Sequence, residues 1–324
     1  MMARMKTNAT RRPSITVLAA CLAAVLLATG PAHGQDTGSA PNPPRSVITN
    51  EPPPAPAVDA WRPVGRIEHE PVSECSGIVA SRRYPGVFWV HNDSGHPPVL
   101  YAVTETGELV AEVPVKDVTN SDWEDIATDD AGHLYVGDVG NNYGFFPIRM
   151  IHKIAEPDPY ARPVRPARVV ETYKYGFDGD RFDAETICVR NGEPLVVPRA
   201  RAGKTPMYRL APAEGGKYRP AAAAEIPLGS ITGGDISADG GRLAVTTPFA
   251  LYVYSLDQDG RLVADENPSI VRFPRCGVEA CCFDGRDVIL ASERREIYRV
   301  TAAHLAAGTR FRNPPYADRA ASSE

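Results

Sequence analysis

Several features that would assign a function at once are missing from this sequence. It contains no G-x-S-x-G, H-E-x-x-H, phosphate-loop or dinucleotide-binding motif, so the sites that these motifs mark are not indicated. Positive charge is also scarce, because 35 Lys and Arg residues are set against 40 Asp and Glu residues. The resulting net charge of −5 argues against binding to nucleic acid, which requires a basic face to offset the phosphates.

Long hydrophobic runs are confined to the amino terminus. Four basic residues between Arg4 and Arg12 precede an Ala-rich apolar run from Ile15 to Thr29, and small residues follow at Ala32 and Gly34. This order is typical of a cleaved export signal over residues 1–34, since a run of about 15 residues is shorter than the roughly 20 that span a membrane. We therefore predict a periplasmic or secreted protein, with no transmembrane helix in the mature chain.

Composition divides the rest of the chain into three parts. Residues 35–60 are rich in Pro, Gly, Asn and Ser and are predicted to form a disordered tether. Residues 313–324 are predicted to form a disordered tail, which leaves residues 61–312 as one domain.

The tetrapeptide LAAC, which ends at Cys21 within the predicted export signal, resembles a lipobox. A lipid-anchored form is therefore the alternative to release after cleavage.

Helical periodicity is nearly absent from residues 61–312. Short apolar runs such as GVFWVHN, HLYVGD and DVILASE alternate with Gly, Asp, Asn and Pro turns and are predicted to be strands. The segment TAAHLAAG, near the end, is the exception and suggests one helical turn. The sequence therefore predicts an all-β protein.

Five segments of this domain share one pattern, in which a polar or acidic start is followed by an apolar strand, a turn and a second apolar strand. They begin with ECSGIVAS, DWEDIATD, DAETICVR, TGGDISAD and GVEACCFD. Their third residues lie 45 to 61 residues apart along the chain, and each second strand ends 13 to 16 residues later. Antiparallel repeats of about 50 residues predict a β-propeller.

The ends of the repeat array indicate how the ring closes. The last repeat supplies only three strands, whereas RPVGRIEHE, before the first repeat, is a strand without a partner. We predict that this amino-terminal strand completes the last of five blades. Six blades are the alternative if the long second repeat hides another, and a non-repeating β-sandwich is the alternative fold.

Acidic residues recur at the strand starts, which a propeller gathers at one mouth of its central channel together with the ends of the second strands. Glu124, Glu185 and Glu279 are candidate catalytic groups for this reason. Crowded carboxylates favour a bound cation, and oxygen ligands suit Ca²⁺. The predicted metal ligands are Glu124, Asp138, Glu185, Asp235 and Glu279. Alternatively, acids at strand starts accept hydrogen bonds from backbone amides of the neighbouring blade.

A second set of residues around this mouth is predicted to bind a small polar ligand. It consists of His91, Asn92, Asp93, Trp123, Asp138, Asn141, Arg199 and Glu293. Two members have structural alternatives, because Trp123 could pack between blades and His91 could be a histidine whose hydrogen bonds are satisfied internally.

Five cysteines follow the predicted signal, and the absence of a C-x-x-C pair argues against a structural zinc site. Cys75 opens the first repeat and Cys276 opens the last, and these repeats are neighbours in a five-bladed ring. A disulfide between them is predicted in an oxidising compartment. Pairing of Cys276 with Cys281 or Cys282 is the alternative, and Cys188 is predicted to be a buried thiol.

The motifs NSDWEDIA, LYVGDVGNN, DAETICV, ITGGDISADGGRLAV and GVEACCFDGRDVILASE occur in an order that resembles an uncharacterised family of exported bacterial β-propellers with DWED and GD(I/V)GNN motifs. The likeness runs roughly from Val72 to Val300. The chain is similar, more distantly, to the NHL, SMP-30/gluconolactonase and TolB-like propellers. Arg199, Thr246 and Pro248 depart from the family pattern, and the gluconolactonase metal site is not matched residue by residue. The resemblance therefore implies a fold but no activity.

The pattern as a whole favours an exported binding or scaffold protein with an acidic channel mouth. A monomer is expected, with a small polar ligand or another protein as its partner and with Ca²⁺ as the one candidate cofactor. The alternative function is hydrolysis of a sugar, lactone or phosphate ester, because paired carboxylates in a channel can act as acid and base.

Overall fold

The computed structural model describes residues 57–141, 144–177, 183–200, 203–264 and 266–312. All of them belong to one compact unit, Pro52–Glu324. The predicted export signal, the lipobox at Cys21, most of the predicted tether and the predicted tail lie outside the described residues.

The described residues form 22 strands, one 3₁₀ turn at Glu214–Gly216 and one helix, α1, at Ala302–Ala307. The strands are β1 Ala57–Ala60, β2 Gly65–Arg66, β3 Cys75–Ala80, β4 Phe88–Asn92, β5 Val99–Val103, β6 Leu109–Lys116, β7 Trp123–Thr128, β8 His133–Asp138, β9 Arg149–Ala155, β10 Ala167–Tyr175, β11 Ala184–Arg190, β12 Glu193–Pro198, β13 Thr205–Pro212, β14 Tyr218–Ile226, β15 Gly233–Ile236, β16 Arg242–Thr247, β17 Ala250–Ser255, β18 Ser269–Arg272, β19 Val278–Asp284, β20 Asp287–Ser292, β21 Glu296–Val300 and β22 Arg310–Arg312.

Antiparallel pairing groups these strands into four-stranded sheets, which we call blades. They are blade 1 (β3–β6), blade 2 (β7–β10), blade 3 (β11–β14), blade 4 (β15–β18) and blade 5 (β19–β21 with β2). The first strand of each blade contacts the first strand of the next, and β19 contacts β3, so the first strands form a closed ring. This arrangement confirms the predicted all-β propeller fold.

The position of each strand in its blade explains its sequence. All six residues of β7, an inner strand, are buried, because blades cover both of its faces. The outer strand β6 instead alternates between exposed and buried residues, as expected for a strand with one face in solvent. Apolar side chains fill the spaces between blades, as where Ile187 and Val196 of blade 3 pack with Ala127 and Tyr135 of blade 2. The core is therefore divided among the blade interfaces.

The ring closes in the last blade, as predicted. Strand β2 pairs antiparallel with β21, so the amino-terminal segment supplies the fourth strand of blade 5. Strand β1 pairs in parallel with β22, which in turn extends blade 4 through β18. The prediction of a disordered tether is therefore wrong for Ala57–Ala60, because the backbone of this segment is hydrogen-bonded to the carboxyl-terminal strand.

A cluster of aromatic rings fixes the two ends of the domain to each other. The Trp61 ring stacks on Tyr298 at a centroid distance of 4.5 Å and on Phe273 at 4.7 Å, and it contacts Phe311 of β22 at 4.9 Å. Trp61 is 4% exposed, so its burial removes a large apolar surface from water. This packing joins the amino-terminal segment, blade 5 and β22.

The predicted helical turn forms α1, and its sequence explains both of its ends. The Thr301 hydroxyl accepts a hydrogen bond from the His304 backbone N–H, and His304 Nδ1 accepts one from the Thr301 backbone N–H. This reciprocal pair is a capping box. Gly308 ends the helix at φ +58°, a left-handed conformation that glycine adopts without strain.

Candidate functional site

An extra residue interrupts the pairing of the first two strands in four of the five blades. In blade 1, for example, Cys75 opposes Asn92 and Gly77 opposes His91, so the residue between them has no partner across the ladder. The corresponding unpaired residues in the four blades are Ser76, Glu124, Glu185 and Glu279. Such β-bulges change the direction of a side chain and are frequent beside functional sites. Blade 4 has no bulge here, and its equivalent residue is Gly234.

These bulges border an open cavity of about 580 Å³ at one end of the channel. Six of its lining residues carry carboxylates and four carry guanidinium groups. The lining consists of Arg66, Ser73, Glu74, Cys75, Ser76, Asp93, Glu124, Glu185, Arg199, Glu279, Glu293, Arg294 and Arg295. We refer to this cavity as the mouth. All three candidate catalytic glutamates line it, and Asp93, Arg199 and Glu293 of the predicted ligand-binding set do as well.

Two groups of three carboxylates meet at Glu124. Asp93, Asp122 and Glu124 each place one oxygen within 4.8 Å of the oxygens of the other two. Glu124, Asp183 and Glu185 form the second group by the same measure. Blades 1, 2 and 3 therefore contribute to one continuous set of oxygen ligands, of which Glu124 is the shared member.

Glu124 is a buried carboxylate at the floor of the mouth. It is 5% exposed, and within the described part of the chain no group donates a hydrogen bond to its carboxylate. Burial raises its pKa well above the ordinary value, and the charges of Glu185, Asp93, Asp122 and Asp183 raise it further. Without a cation, Glu124 is therefore expected to hold a proton at neutral pH.

Gly140 provides the space that this carboxylate occupies. A Cβ atom at this position would lie 2.6 Å from Asp122 Cγ and would also collide with Glu124 Oε1. The Gly140 backbone N–H donates a hydrogen bond to the Asp122 carbonyl oxygen at 3.1 Å. The backbone of the loop after β8 therefore packs directly against the carboxylates of Asp122 and Glu124. A larger residue at position 140 would displace them.

Neighbouring carboxylates of the mouth also have raised pKa values. Burial, followed by the charges of Asp93 and Asp183, raises the pKa of Asp122 to about 6. Burial and the charge of Glu293 raise the pKa of Glu279 to about 7, although Arg199 opposes the shift. These groups change charge near neutral pH, so cation binding at the mouth should compete with protons.

Arg199 balances one side of the acidic cluster. Its Nη1 lies 2.5 Å from Glu185 Oε1 and 3.9 Å from Asp183 Oδ2. Burial raises the pKa of Glu185, and Arg199 limits that rise. Glu185 therefore ionises more readily than Glu124, although the two occupy equivalent bulges in neighbouring blades.

Two of the predicted metal ligands, Asp138 and Asp235, lie outside the carboxylate groups of the mouth and accept hydrogen bonds from the backbone. Asp138 Oδ1 accepts a hydrogen bond from the Asp122 backbone N–H at 2.7 Å. Asp235 Oδ2 accepts one from the Phe283 N–H of blade 5 at 2.9 Å. Neither residue belongs to the carboxylate groups of the mouth. For Asp235 the alternative interpretation, hydrogen bonding to the backbone of the next blade, is the one that the structure supports.

His91 and Trp123, two members of the predicted ligand-binding set, are not among the residues that line the mouth. Both are fully buried, and their rings meet edge to face at a centroid distance of 5.6 Å. His91 Nδ1 is 3.0 Å from the Asn92 carbonyl oxygen, and burial lowers the pKa of the ring. A side chain at Gly77 would collide with His91, so this packing depends on the glycine.

Asn92 and Asn141 are likewise engaged by the backbone instead of lining the mouth. Asn92 Oδ1 accepts hydrogen bonds from the N–H groups of Ser73 and Glu74, and its Nδ2 donates to the Pro71 carbonyl at 2.7 Å. Asn141 Oδ1 accepts one from the Phe146 N–H at 2.9 Å. These amides order the loops around the mouth but do not face its cavity.

The predicted disulfide is absent. Cys75 and Cys276 are free thiols, as are Cys188, Cys281 and Cys282, so the alternative pairings are absent from the described residues too. Cys75 packs in the core around blade 1, whereas Cys276 accepts a hydrogen bond from Trp61 Nε1 at 3.1 Å. The prediction that Cys188 is a buried thiol is confirmed.

Several residues that shape the mouth were not among the predicted site residues. Asp122 and Asp183 directly precede first strands and complete the two carboxylate groups. The aligned strand starts contained this signal, because both residues stand two positions before a bulge glutamate. Arg66 also lines the mouth. It lies in the closing strand β2, which is outside the five aligned repeats, so the repeat alignment did not indicate its position.

Comparisons with solved structures give proteins of low similarity. A glutaminyl cyclase of Myxococcus xanthus is 12% identical with a TM-score of 0.44, over 74% of this chain and 95% of that one. A chain of a nidogen/laminin complex is 13% identical with a TM-score of 0.43, over 72% and 78%. A structure assigned provisionally as a gluconolactonase is 16% identical with a TM-score of 0.41, over 72% and 76%.

No family model and no curated protein matches the sequence. The fold therefore rests on the strand pairing of the chain itself. Among the described residues, no helix has the length and apolar character needed to cross a membrane.

Proposed function

We propose that the protein is an exported binding protein whose mouth holds a divalent, oxygen-preferring cation, with Ca²⁺ as the best candidate. The observation that carries this proposal is Glu124, a carboxylate that is 5% exposed, receives no hydrogen bond from the described residues and is shared by two groups of carboxylates. A buried charge without a partner is costly, and a cation supplies the missing partner.

The chemistry of the donors favours Ca²⁺ over the transition metals. Both groups consist of carboxylates alone, from Asp93, Asp122, Glu124, Asp183 and Glu185. Hard cations prefer such oxygen ligands, whereas Zn²⁺ and Cu²⁺ are usually bound with imidazole or thiolate. Ca²⁺ also tolerates six to eight ligands in irregular geometry, which suits side chains that come from three different blades.

A hydrolase is the second candidate function, and one observation favours it. Glu124 and Glu185 lie in the same carboxylate group, yet Arg199 forms ion pairs with Glu185 and Asp183 and none with Glu124. Environments that separate the pKa values of two neighbouring carboxylates are typical of acid and base pairs. In this function Glu124 would donate a proton and Glu185 would act as base or nucleophile.

The decisive experiment is titration of the chelator-treated full chain with Ca²⁺ by isothermal calorimetry. We expect saturable binding to the wild type and at least about tenfold weaker binding to Glu124→Gln, since a neutral amide replaces the shared carboxylate. Glu214→Gln, which removes an exposed carboxylate of the Glu214–Gly216 turn, is the matched control and should bind as the wild type does. Wild-type protein that takes up no Ca²⁺, or equal affinity in Glu124→Gln, would contradict the proposal.

A further inference from the structure

We propose that the ligand of the mouth carries an anionic oxygen group, a carboxylate or a phosphate, which is shared between the bound cation and Arg294 and Arg295. This inference rests on the proposed function, because it requires the cation to be present. It adds to that function a ligand class and the pair of residues that select it.

Carboxylates and guanidinium groups both line the mouth, and Arg294 and Arg295 lie outside the two carboxylate groups. The clustered carboxylates come from blades 1, 2 and 3, whereas Arg294 and Arg295 occupy the turn between β20 and β21 in blade 5. Arg66, from the closing strand β2 beside that turn, lines the same cavity. A ligand in the mouth can therefore contact the carboxylate groups of blades 1, 2 and 3 and the arginines of blade 5, beside which Glu279 and Glu293 also line the cavity.

Arg294 and Arg295 have no ion pair with any described residue, in contrast to Arg199 and Arg299. Arg199 contacts Glu185 and Asp183, and Arg299 contacts three carboxylates, those of Glu105, Asp284 and Asp287. Guanidinium groups bind carboxylate and phosphate oxygens through paired hydrogen bonds. Two adjacent arginines that face a cavity without internal partners are accordingly suited to an external anion.

The turn that carries this pair is well defined. The Arg295 N–H donates to the Ser292 carbonyl at 2.8 Å, and the Glu296 N–H donates to the Ser292 hydroxyl at 3.2 Å. Arg295 has φ +71°, a conformation that costs a residue with a side chain on the order of 1 kcal/mol. An arginine thus occupies a position at which glycine or asparagine would be less strained.

The cation and the anion should bind cooperatively. Without a cation, the clustered carboxylates of the mouth repel an anion that approaches Arg294 and Arg295. Once Ca²⁺ is bound, its positive charge removes that repulsion, and coordination positions beyond the protein carboxylates are available to a ligand oxygen. The coupling is reciprocal, so the anion should strengthen Ca²⁺ binding by the same factor.

The test measures binding of three probes to the full chain by calorimetry, with Ca²⁺ and with chelator. The probes are phenyl phosphate, benzoate and benzyl alcohol, which share a phenyl ring and differ in their polar group. We expect at least one anion to bind at least about fivefold more tightly with Ca²⁺ than without, and benzyl alcohol to show no such gain. The identity of the anion that binds shows whether the ligand carries a phosphate or a carboxylate group.

The decisive variant is Arg294→Gln with Arg295→Asn, since asparagine tolerates the positive φ at position 295. It should keep its Ca²⁺ affinity and lose the anion. Arg209→Gln with Arg219→Gln, which removes two exposed arginines from the outer strands of blade 3, is the control of equal charge and should behave as the wild type.

The outcomes separate the two proposals. If the wild type binds Ca²⁺ but neither anion, or if the arginine variant retains anion binding, the ligand class is overturned and the cation site stands. If anion affinity is the same with Ca²⁺ and with chelator, the shared coordination is overturned. Failure to bind Ca²⁺ at all would overturn the proposed function, and with it this inference.

Discussion

Glu124 and Glu185 occupy equivalent bulge positions in neighbouring blades, and each places a carboxylate oxygen within 4.8 Å of the other. Arg199 pairs with Glu185, whereas no described residue donates a hydrogen bond to the Glu124 carboxylate. The same local structure therefore yields one carboxylate whose charged form is stabilised by a guanidinium group and one that requires a proton or a cation. The predictions about the mouth follow from this asymmetry.

Glu124→Gln should stabilise the protein in chelator. Unfolded Glu124 is ionised at pH 7, but burial and neighbouring charges raise its pKa in the fold, so folding must protonate it. Glutamine removes that cost and should raise the Tm by about 2–4 °C, equivalent to about 1 kcal/mol in a chain of this size. With saturating Ca²⁺ the order should reverse. Scanning calorimetry checks both, and a lower Tm for the variant in chelator would contradict the assignment.

Stability of the cation-free protein should decrease as the pH rises. The pKa of Asp122 is raised from 3.8 to about 6 and that of Glu279 from 4.5 to about 7, mainly by burial. A carboxyl with a raised folded pKa contributes its full stability below its unfolded pKa and loses it as the pH rises through the folded value.

Asp122 and Glu279 should therefore make the Tm in chelator higher at pH 4 than at pH 7.5. Added Ca²⁺ should stabilise the protein strongly at pH 7.5 and weakly at pH 4, because protons and the cation compete for the same oxygens. Scans at both values, with and without Ca²⁺, measure the difference. A Ca²⁺ effect of equal size at the two pH values would refute the competition.

Gly140→Ala should impair the cation site while the fold persists. The added Cβ would lie 2.6 Å from Asp122 Cγ and would displace the Glu124 carboxylate as well. We expect Ca²⁺ affinity to fall at least about tenfold, since misplaced ligands lose coordination. Gly241→Ala is the control, because a Cβ there meets only the Asp239 carboxylate, with its nearest atom at an ordinary 3.5 Å. Circular dichroism would verify the fold, and unchanged affinity in Gly140→Ala would exclude the proposed ligand set.

Trp61→Ala should destabilise the closure of the ring. The mutation removes a buried ring that contacts Phe273, Tyr298 and Phe311, and the expected loss is about 3–5 kcal/mol. Trp61→Phe keeps an aromatic ring but loses the hydrogen bond to Cys276, so its loss should be smaller. Urea unfolding compares the three proteins. Equal stability of Trp61→Ala and the wild type would show that this cluster does not secure the termini.

Much of the mouth could be predicted because the repeat aligns equivalent residues. The aligned third residues of the five motifs are the second residues of β3, β7, β11, β15 and β19, and four of them are the bulge residues. The aligned strand ends were less informative. His91 and Asn92 are adjacent in a strand and were both assigned to the mouth, yet one packs in the core and the other binds the backbone of the preceding loop.

The sequence by itself determined the strands, their repetition and the closure of the ring, because these depend on the local alternation of apolar and turn residues. It also placed the acids at one end of the channel. Only the tertiary structure decided which acids face the cavity, since a bulge of one residue redirects a side chain and leaves no mark in the apolar pattern. Asp235 and the equivalent Asp125, one position after the aligned third residue, instead accept hydrogen bonds from the Phe283 and Ile187 amides of the next blade.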